Sequence, residues 1–325
     1  MSPTPTISVV SPVYGCRNCL EALSDAVRAA FDGTGLDWEL LLVDDRGPDD
    51  PWPLICELAQ LDPRIRGIRL SRNHGQHLAI WAGLAEARGD WVAVIDCDLQ
   101  DDPAILSTLH QTALAERVEA VIVDRGVWSD SAFRRFAARA FYRVINVLGG
   151  VTIDNVGNFG LYSRRMVDTL LLFREQEVFL PMMVALTGLK HRTYRLDRAD
   201  RAAGRSAYNF LGLLRLAIAI IIRFSDRPLK LSVIVGLTFS LFSAAISLLL
   251  VVAWLSGAFT VPGWTSTVLS VWFLSGLIMA TLGIHGFYIG RVFSEVKMRP
   301  RIIVETTTDA AETATRMVSD VLRTS

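Results

Sequence analysis

Two carboxylates one residue apart, Asp96 and Asp98, end an apolar run in the stretch GDWVAVIDCDLQDDP from Gly89 to Pro103. Trp91 to Ile95 is short, β-branched and bounded by polar residues, so it reads as a buried strand that delivers both acids at its C-terminal end. Side chains two apart on a strand share a face, which turns Cys97 the other way. Paired hard-oxygen donors at a strand mouth suit Mg²⁺ or Mn²⁺, metals that are usually shared with substrate phosphates. The same spacing also suits a plain strand-to-helix turn, in which Asp98 or Asp102 caps a helix starting near Pro103.

An alternation of strands and helices must position these acids. Thr6 to Val13, Trp38 to Val43 and Ile65 to Leu70 are β-rich runs, and helical spacing follows over Leu20 to Ala30 and Gln76 to Ala87. Such alternation implies βαβ units and a mostly parallel sheet covered on both faces, an α/β fold. Ligands of such sheets bind outside the carboxyl ends of the strands. Tyr14, Asp44, Asp45, Arg72, Asn73, Asp96 and Asp98 all lie just past a strand, so one edge would gather all seven. Neither a G-x-G-x-x-G turn nor a Walker lysine loop is present, which argues against dinucleotide and P-loop chemistry.

Charge is balanced at 33 basic and 33 acidic residues, and nothing in it points to nucleic acid. Yet the sixty residues from Leu231 to Gly290 contain no Asp, Glu, Lys or Arg. Leu231 to Leu255 and Thr265 to Gly290 are each long enough to cross a bilayer, and Gly257, Pro262 and Gly263 break the segment between them. Arg223, Arg227 and Lys230 precede the pair and Arg291, Lys297, Arg299 and Arg301 follow it, which predicts that both termini are cytoplasmic. A buried helical hairpin in a soluble protein is the alternative. Ser240, Ser243, Ala244, Ala245, Gly276, Gly283 and Gly286 would permit close helix contact and self-association. No basic residue precedes the first apolar run, so no secretory signal is expected. The four cysteines are expected in a reducing compartment, and Cys16 and Cys19, in C-x-x-C spacing, are expected as free thiols at a helix start.

Further along, Ala104 to Glu116 has helical and Ala120 to Val123 strand character. Ser131 to Leu148 is amphipathic and arginine-rich, suiting either the membrane surface or a solvated basic face. Asn155 to Arg165 reads as a Gly-punctuated loop before another helix. Arg201 to Tyr208 (RAAGRSAY) is a basic loop, where Arg201, Arg205 and the Ser206 hydroxyl can grip a phosphate or, equally, meet anionic lipid headgroups. The tail after Arg301 is polar and mildly helical.

Together SPVYG, LLVDD, the block LSRNHGQHLAIWAGLAEARGDWVAVIDCDLQDDP, GNFGLYSRR, RAAGRS and FSDRPLKL resemble membrane-anchored family-2 glycosyltransferases of the dolichol-phosphate mannose synthase and bacterial polyprenyl-phosphate type. That resemblance implies a GT-A catalytic domain over 1–208, an amphipathic juxtamembrane helix over 209–230, spans over 231–255 and 265–290 joined by a loop over 256–264, and a cytoplasmic tail over 291–325. It implies a UDP- or GDP-linked sugar donor, a polyprenyl (undecaprenyl) phosphate acceptor, a lipid bilayer partner, and cell-surface glycan assembly or modification. Pro12, Tyr14, Asp44, Asp45, Arg72, Asn73 and Asp96 would hold the nucleotide-sugar, and Asp96, Asp98 and Gln100 the metal. Arg125, Arg201, Arg205 and Ser206 fall where the acceptor phosphate binds, with Asp96, Asp98 and Arg201 at the reacting centre.

Two departures from the family pattern bear on mechanism. Asn158 replaces an acid that many relatives carry in a G-D-F loop, removing a candidate base, and Ala207 replaces a lysine, leaving Arg205 as the substitute cation. A lipid phosphate is already anionic and needs no base to attack the anomeric carbon, so inversion is implied. A processive polysaccharide synthase is disfavoured because none of the eight tryptophans follows an arginine, as a Q-x-x-R-W motif requires. A lipid-linked saccharide acceptor remains an alternative. So does a non-catalytic membrane scaffold, although such a chain would be expected to lose the Asp96–Asp98 pair.

Overall fold

The computed structural model describes residues 5–124, 156–176, 178–195, 227–256 and 263–309. Among them, β1 (Ile7–Val13), β2 (Trp38–Asp44), β3 (Ile65–Leu70) and β4 (Trp91–Val94) form a parallel centre in the order β3-β2-β1-β4. Every residue of β1 and β2 is buried, as continuous apolar strands must be when helices cover both faces. Four further strands complete one eight-stranded sheet: β5 (Ala120–Asp124), β6 (Val156–Ser163), β7 (His191–Arg195) and β8 (Val304–Thr307). The full order is β7-β5-β6-β4-β1-β2-β3-β8, with β6 antiparallel to both β4 and β5, and β8 antiparallel to β3.

Register sets the shape of the carboxyl edge. Val13 lies beside Asp44 and Asp44 beside Arg69, so the first three strands end level. The chain of β4 leaves the sheet earlier, opposite Val10, and a last bond from Ile95 N to the Val10 carbonyl (3.0 Å) steers it into the acid turn.

The helices are α1 (Leu20–Phe31), α2 (Trp52–Leu61), α3 (Gln76–Glu86), α4 (Ile105–Glu116), α5 (Arg164–Leu171), α6 (Leu180–Thr187), α7 (Arg227–Leu255) and α8 (Trp264–Val296). Helix α3 reaches the sheet closely at Gly83, where a Cβ would stand 2.2 Å from Val10 Cγ1 and 3.2 Å from Val43 Cγ2. Leu23, Val27, Leu106, Leu109 and Ala113 pack α1 and α4 into the main apolar core against Val9, Leu40 and Ala93.

A buried polar network ties the amino ends of the strands together. Ser8 Oγ donates to Glu39 Oε1 (2.6 Å), Arg66 Nη1 to Glu39 Oε2 (3.0 Å), and Gly89 N to Ser8 Oγ (2.7 Å). Asp309, which follows β8, accepts from Arg66 Nε at 2.6 Å, so the stretch after the two long helices is built into the sheet.

The structure revises several expectations. Asn155 to Arg165 was expected as a loop, but Val156–Ser163 is a strand lying between β4 and β5. Its Gly160 permits a close approach, since a Cβ there would meet the Val121 carbonyl oxygen at 2.8 Å. The polar tail contributes β8 where mild helicity was expected, because β3 offers an open edge. Cys16 and Cys97 are not free thiols: they form a disulfide across 81 residues with a Cα–Cα distance of 6.4 Å, and Cys19 and Cys56 remain free.

The two long helices belong to a second compact unit, and the sheet belongs to the first. They bracket the expected spans, with 29 residues in α7 and 33 in α8, and they contact each other. Among the described residues one helical stretch, Phe273–Val296, is long and apolar enough to cross a membrane. The amphipathic segment over 131–148, the basic loop over 201–208 and the juxtamembrane run over 209–226 lie outside the described residues.

Candidate active site

The carboxyl edge of the parallel centre brings together the loops that follow β1, β2, β3 and β4. Pro12 is buried in β1, whereas Tyr14, just past it, is 54% exposed and presents a ring beside the edge. At the end of β2, Asp44 and Asp45 are almost fully buried. Asp44 Oδ1 accepts from Arg46 N at 2.9 Å and its other oxygen lies 3.3 Å from Arg69 Nε. Asp45 spends both oxygens on consecutive backbone donors, His74 N (2.7 Å) and Gly75 N (2.8 Å). Burial pushes both carboxyl groups above the usual carboxylate range, against those N–H bonds.

Past β3, Arg72 and Asn73 are exposed, and Asn73 Oδ1 also accepts from Gly75 N (2.9 Å). Gly75 has φ +91°, a conformation costly for any residue with a Cβ, and it launches α3. The first residue of α3, Gln76, donates from Nε2 to Asp96 Oδ1 at 2.7 Å. His77, beside it, packs edge-on against Phe179 at 5.1 Å between centroids. Burial pushes its imidazole below the ordinary histidine value, opposed by the Asp96 charge.

The acid turn is thus assembled from β4, with support from α3. Asp96 is half-buried and Asp98 exposed, and Asp98 Oδ1 accepts from Gln100 N (3.1 Å) while Leu99 adopts φ 58° between them. Neither Asp98 nor Asp102 caps α4: its N-cap, Ala104, makes no side-chain capping bond, and Asp102 Oδ1 instead accepts from Ala104 N itself (2.9 Å), ahead of the helix. The disulfide ties this turn, through Cys97, to the loop carrying Tyr14 and Cys16.

As a donor set, Asp96 and Asp98 fit a divalent cation: two carboxylates on one turn, one braced by a neutral amide and the other open to solvent. No group of three or more His, Cys, Asp or Glu converges among the described residues, so the protein would supply few ligands and substrate phosphates and water the rest. Gln100 is exposed two residues beyond Asp98. Arg125, Arg201, Arg205 and Ser206 lie outside the described residues. Sequence reasoning did not assign Gln76 and His77 to the site, although both stand inside the RNHGQH stretch between β3 and α3.

A mostly parallel α/β sheet with an acid turn at its carboxyl edge is a GT-A-like fold. Residues 8–171 match glycosyl transferase family 2, and the chain belongs to that family. It is similar to the uncharacterized glycosyltransferase YkoT of Bacillus subtilis (strain 168), at 32% identity over 310 residues, covering 93% of this chain and 91% of that one. The undecaprenyl-phosphate 4-deoxy-4-formamido-L-arabinose transferase of Aeromonas hydrophila is 31% identical over 326 residues and covers 97% of both chains. Among solved structures, the mannosyltransferase PcManGT of Pyrobaculum calidifontis, in complex with GDP-Man and Mn²⁺, aligns over 91% of this chain and 88% of its own with a TM-score of 0.45 and 15% identity.

Proposed function

We propose that this transferase moves a sugar from a nucleotide-sugar to a polyprenyl phosphate at the cytoplasmic face of a membrane, with inversion at the anomeric carbon. The observation that carries the reading is the convergence of Tyr14, Asp44, Asp45, Arg72, Asn73, Asp96 and Asp98 on one sheet edge. The near-equal length of the Aeromonas hydrophila relative, named for an undecaprenyl-phosphate acceptor, supports the acceptor class.

In this reading Pro12 and the exposed Tyr14 ring flank the base, and Asp44, Asp45, Arg72 and Asn73 line the nucleoside edge. A bound Mg²⁺ or Mn²⁺, held by Asp96 and Asp98 with Gln100 at hand, would neutralise charge on the departing diphosphate. Arg125, Arg201, Arg205 and Ser206 receive the lipid phosphate, whose own oxygen is the nucleophile. That oxygen bonds to the anomeric carbon as the bond to the nucleoside diphosphate breaks, and the leaving group departs on the opposite face. No protein base is required, which accommodates Asn158. The chain's task is to hold two anions in line.

Two membrane crossings suit the chain path. The strands β1 to β7 precede α7, and β8, which follows α8 by a short link, pairs with β3 of the same sheet. A sheet whose strands come from both sides of the long helices requires an even number of crossings. At 29 and 33 residues, the two helices measure about 43 and 50 Å, longer than a hydrocarbon core of about 30 Å.

The test is nucleoside diphosphate release by the purified full-length protein with undecaprenyl phosphate, Mn²⁺ and a panel of UDP- and GDP-sugars. Release with at least one donor, dependent on the lipid, is expected. No release with any donor would overturn the reading, and release only with a lipid-linked saccharide would move the acceptor.

A further inference from the structure

We propose that Gln76 is a positioning residue for the Asp96 carboxylate, held at its post by Asp45, so that one hydrogen-bonded relay joins the nucleotide edge to the acid turn. The proposal rests on the functional reading above and concerns how the site is kept in register.

The relay begins in the core. Asp45 is 2% exposed, and its two oxygens take the N–H groups of His74 and Gly75 at 2.7 and 2.8 Å. A carboxylate bridging successive backbone donors fixes their peptide planes. The bend is reinforced by Asn73 Oδ1 on Gly75 N (2.9 Å) and by the φ of +91° at Gly75. Gln76 comes next as the first residue of α3, so the direction of its side chain is set by a buried group just past β2. From there Nε2 meets Asp96 Oδ1 at 2.7 Å, twenty positions downstream.

The chemistry of the donor matters as much as its place. A carboxamide N–H orients a carboxylate without itself adding a positive charge beside it. A lysine or arginine at the same distance would compete with the metal electrostatically. Outer-shell hydrogen bonds of this kind typically govern metal affinity by about 10- to 100-fold. Asp45 therefore acts on the metal turn through the loop it braces, whatever it does for the nucleoside.

The experiment uses the full-length protein in detergent, stripped of metal, with Mn²⁺ titrated in the presence of UDP or GDP and free Mn²⁺ read by electron paramagnetic resonance. Gln76→Met keeps the length of the side chain and removes its N–H. It should weaken Mn²⁺ binding about 10-fold and leave the thermal unfolding midpoint unchanged, a split that a merely structural role would not produce. Asp45→Asn should weaken Mn²⁺ binding in the same direction, and the double variant should lose less than the product of the two single effects. If Gln76→Met binds Mn²⁺ like the wild type, the relay is wrong and the functional reading stands. Equal Mn²⁺ binding by Asp45→Asn would remove the Asp45 leg. If the wild-type protein itself binds no Mn²⁺ with either nucleotide, the relay and the metal-dependent reading fall together.

Discussion

Replacing Glu39 by methionine isolates the buried ion pair beneath the sheet. Glu39 and Arg66 are 5% and 7% exposed, and Glu39 accepts from Ser8 Oγ at 2.6 Å, Arg88 N at 2.7 Å and Arg66 Nη1 at 3.0 Å. Removing one partner of a buried pair leaves the other charge uncompensated, at a cost of about 3–5 kcal/mol. Arg66 would keep Asp309 at 2.6 Å and the Glu86 carbonyl at 3.2 Å. Those survivors place the expected loss at the lower end, about 3 kcal/mol. For a domain of this size that corresponds to a fall of about 6–12 °C in unfolding temperature. The assay is thermal unfolding of the purified protein followed by tryptophan fluorescence, run beside the double variant Glu39→Met/Arg66→Met. Removing both charges should recover most of the loss, because apolar replacements of a buried pair are often neutral. A drop below about 2 °C for Glu39→Met, or a double variant as damaged as the single one, would refute the reasoning.

Three further outcomes follow from local geometry. Hydrogen bonding from Arg64, helped by Arg28, holds the Asp62 carboxyl down at about 2, below its ordinary 3.8. A depressed carboxyl contributes stability above its ordinary value and loses it as pH falls through the folded one. Asp62→Asn should therefore flatten the urea-midpoint profile between pH 3.8 and about 2. The stability lost is about 1–2 kcal/mol, since both arginines are more than a third exposed and screened. Gly83→Ala puts a Cβ 2.2 Å from Val10 Cγ1 and should destabilise by about 1–3 kcal/mol, with partial rescue by Val10→Ala, measured by the same unfolding assay. Without reductant an alkylating probe should modify Cys19 and Cys56, and reduction should add Cys16 and Cys97, read by peptide mass spectrometry; labelling of all four at the outset would exclude the Cys16–Cys97 bond.

The parts of this fold that were readable in the amino-acid sequence are those governed by local pattern. Ile65–Leu70 was bounded correctly, and β1, β2 and β4 within a residue, because buried parallel strands are short apolar runs closed by polar turns. The acid turn followed directly, since the strand ending at Val94 leaves Asp96 and Asp98 just beyond it. Strand β6 was hidden because Gly157, Asn158 and Gly160 look like a loop, although Gly160 is there to let β5 approach. The four residues of β8 carry too little signal alone and become a strand only by pairing with β3. The C-x-x-C spacing of Cys16 and Cys19 drew attention to the wrong partner, as only the fold brings Cys97 near. Periodicity marked the start of α3 at Gln76 but said nothing of the reach of its amide to Asp96.

In the proposed reaction the acid turn past β4 serves glycosyl transfer to a lipid phosphate. This role is tested most directly by mass spectrometry of the polyprenyl lipid formed by wild type and Asp96→Asn side by side, each with the donor that supports turnover. The expected result is a glycosylated polyprenyl phosphate from the wild type and none from Asp96→Asn, with unchanged membrane insertion and unfolding temperature. Equal product from Asp96→Asn would leave the acid turn without a part in the transfer.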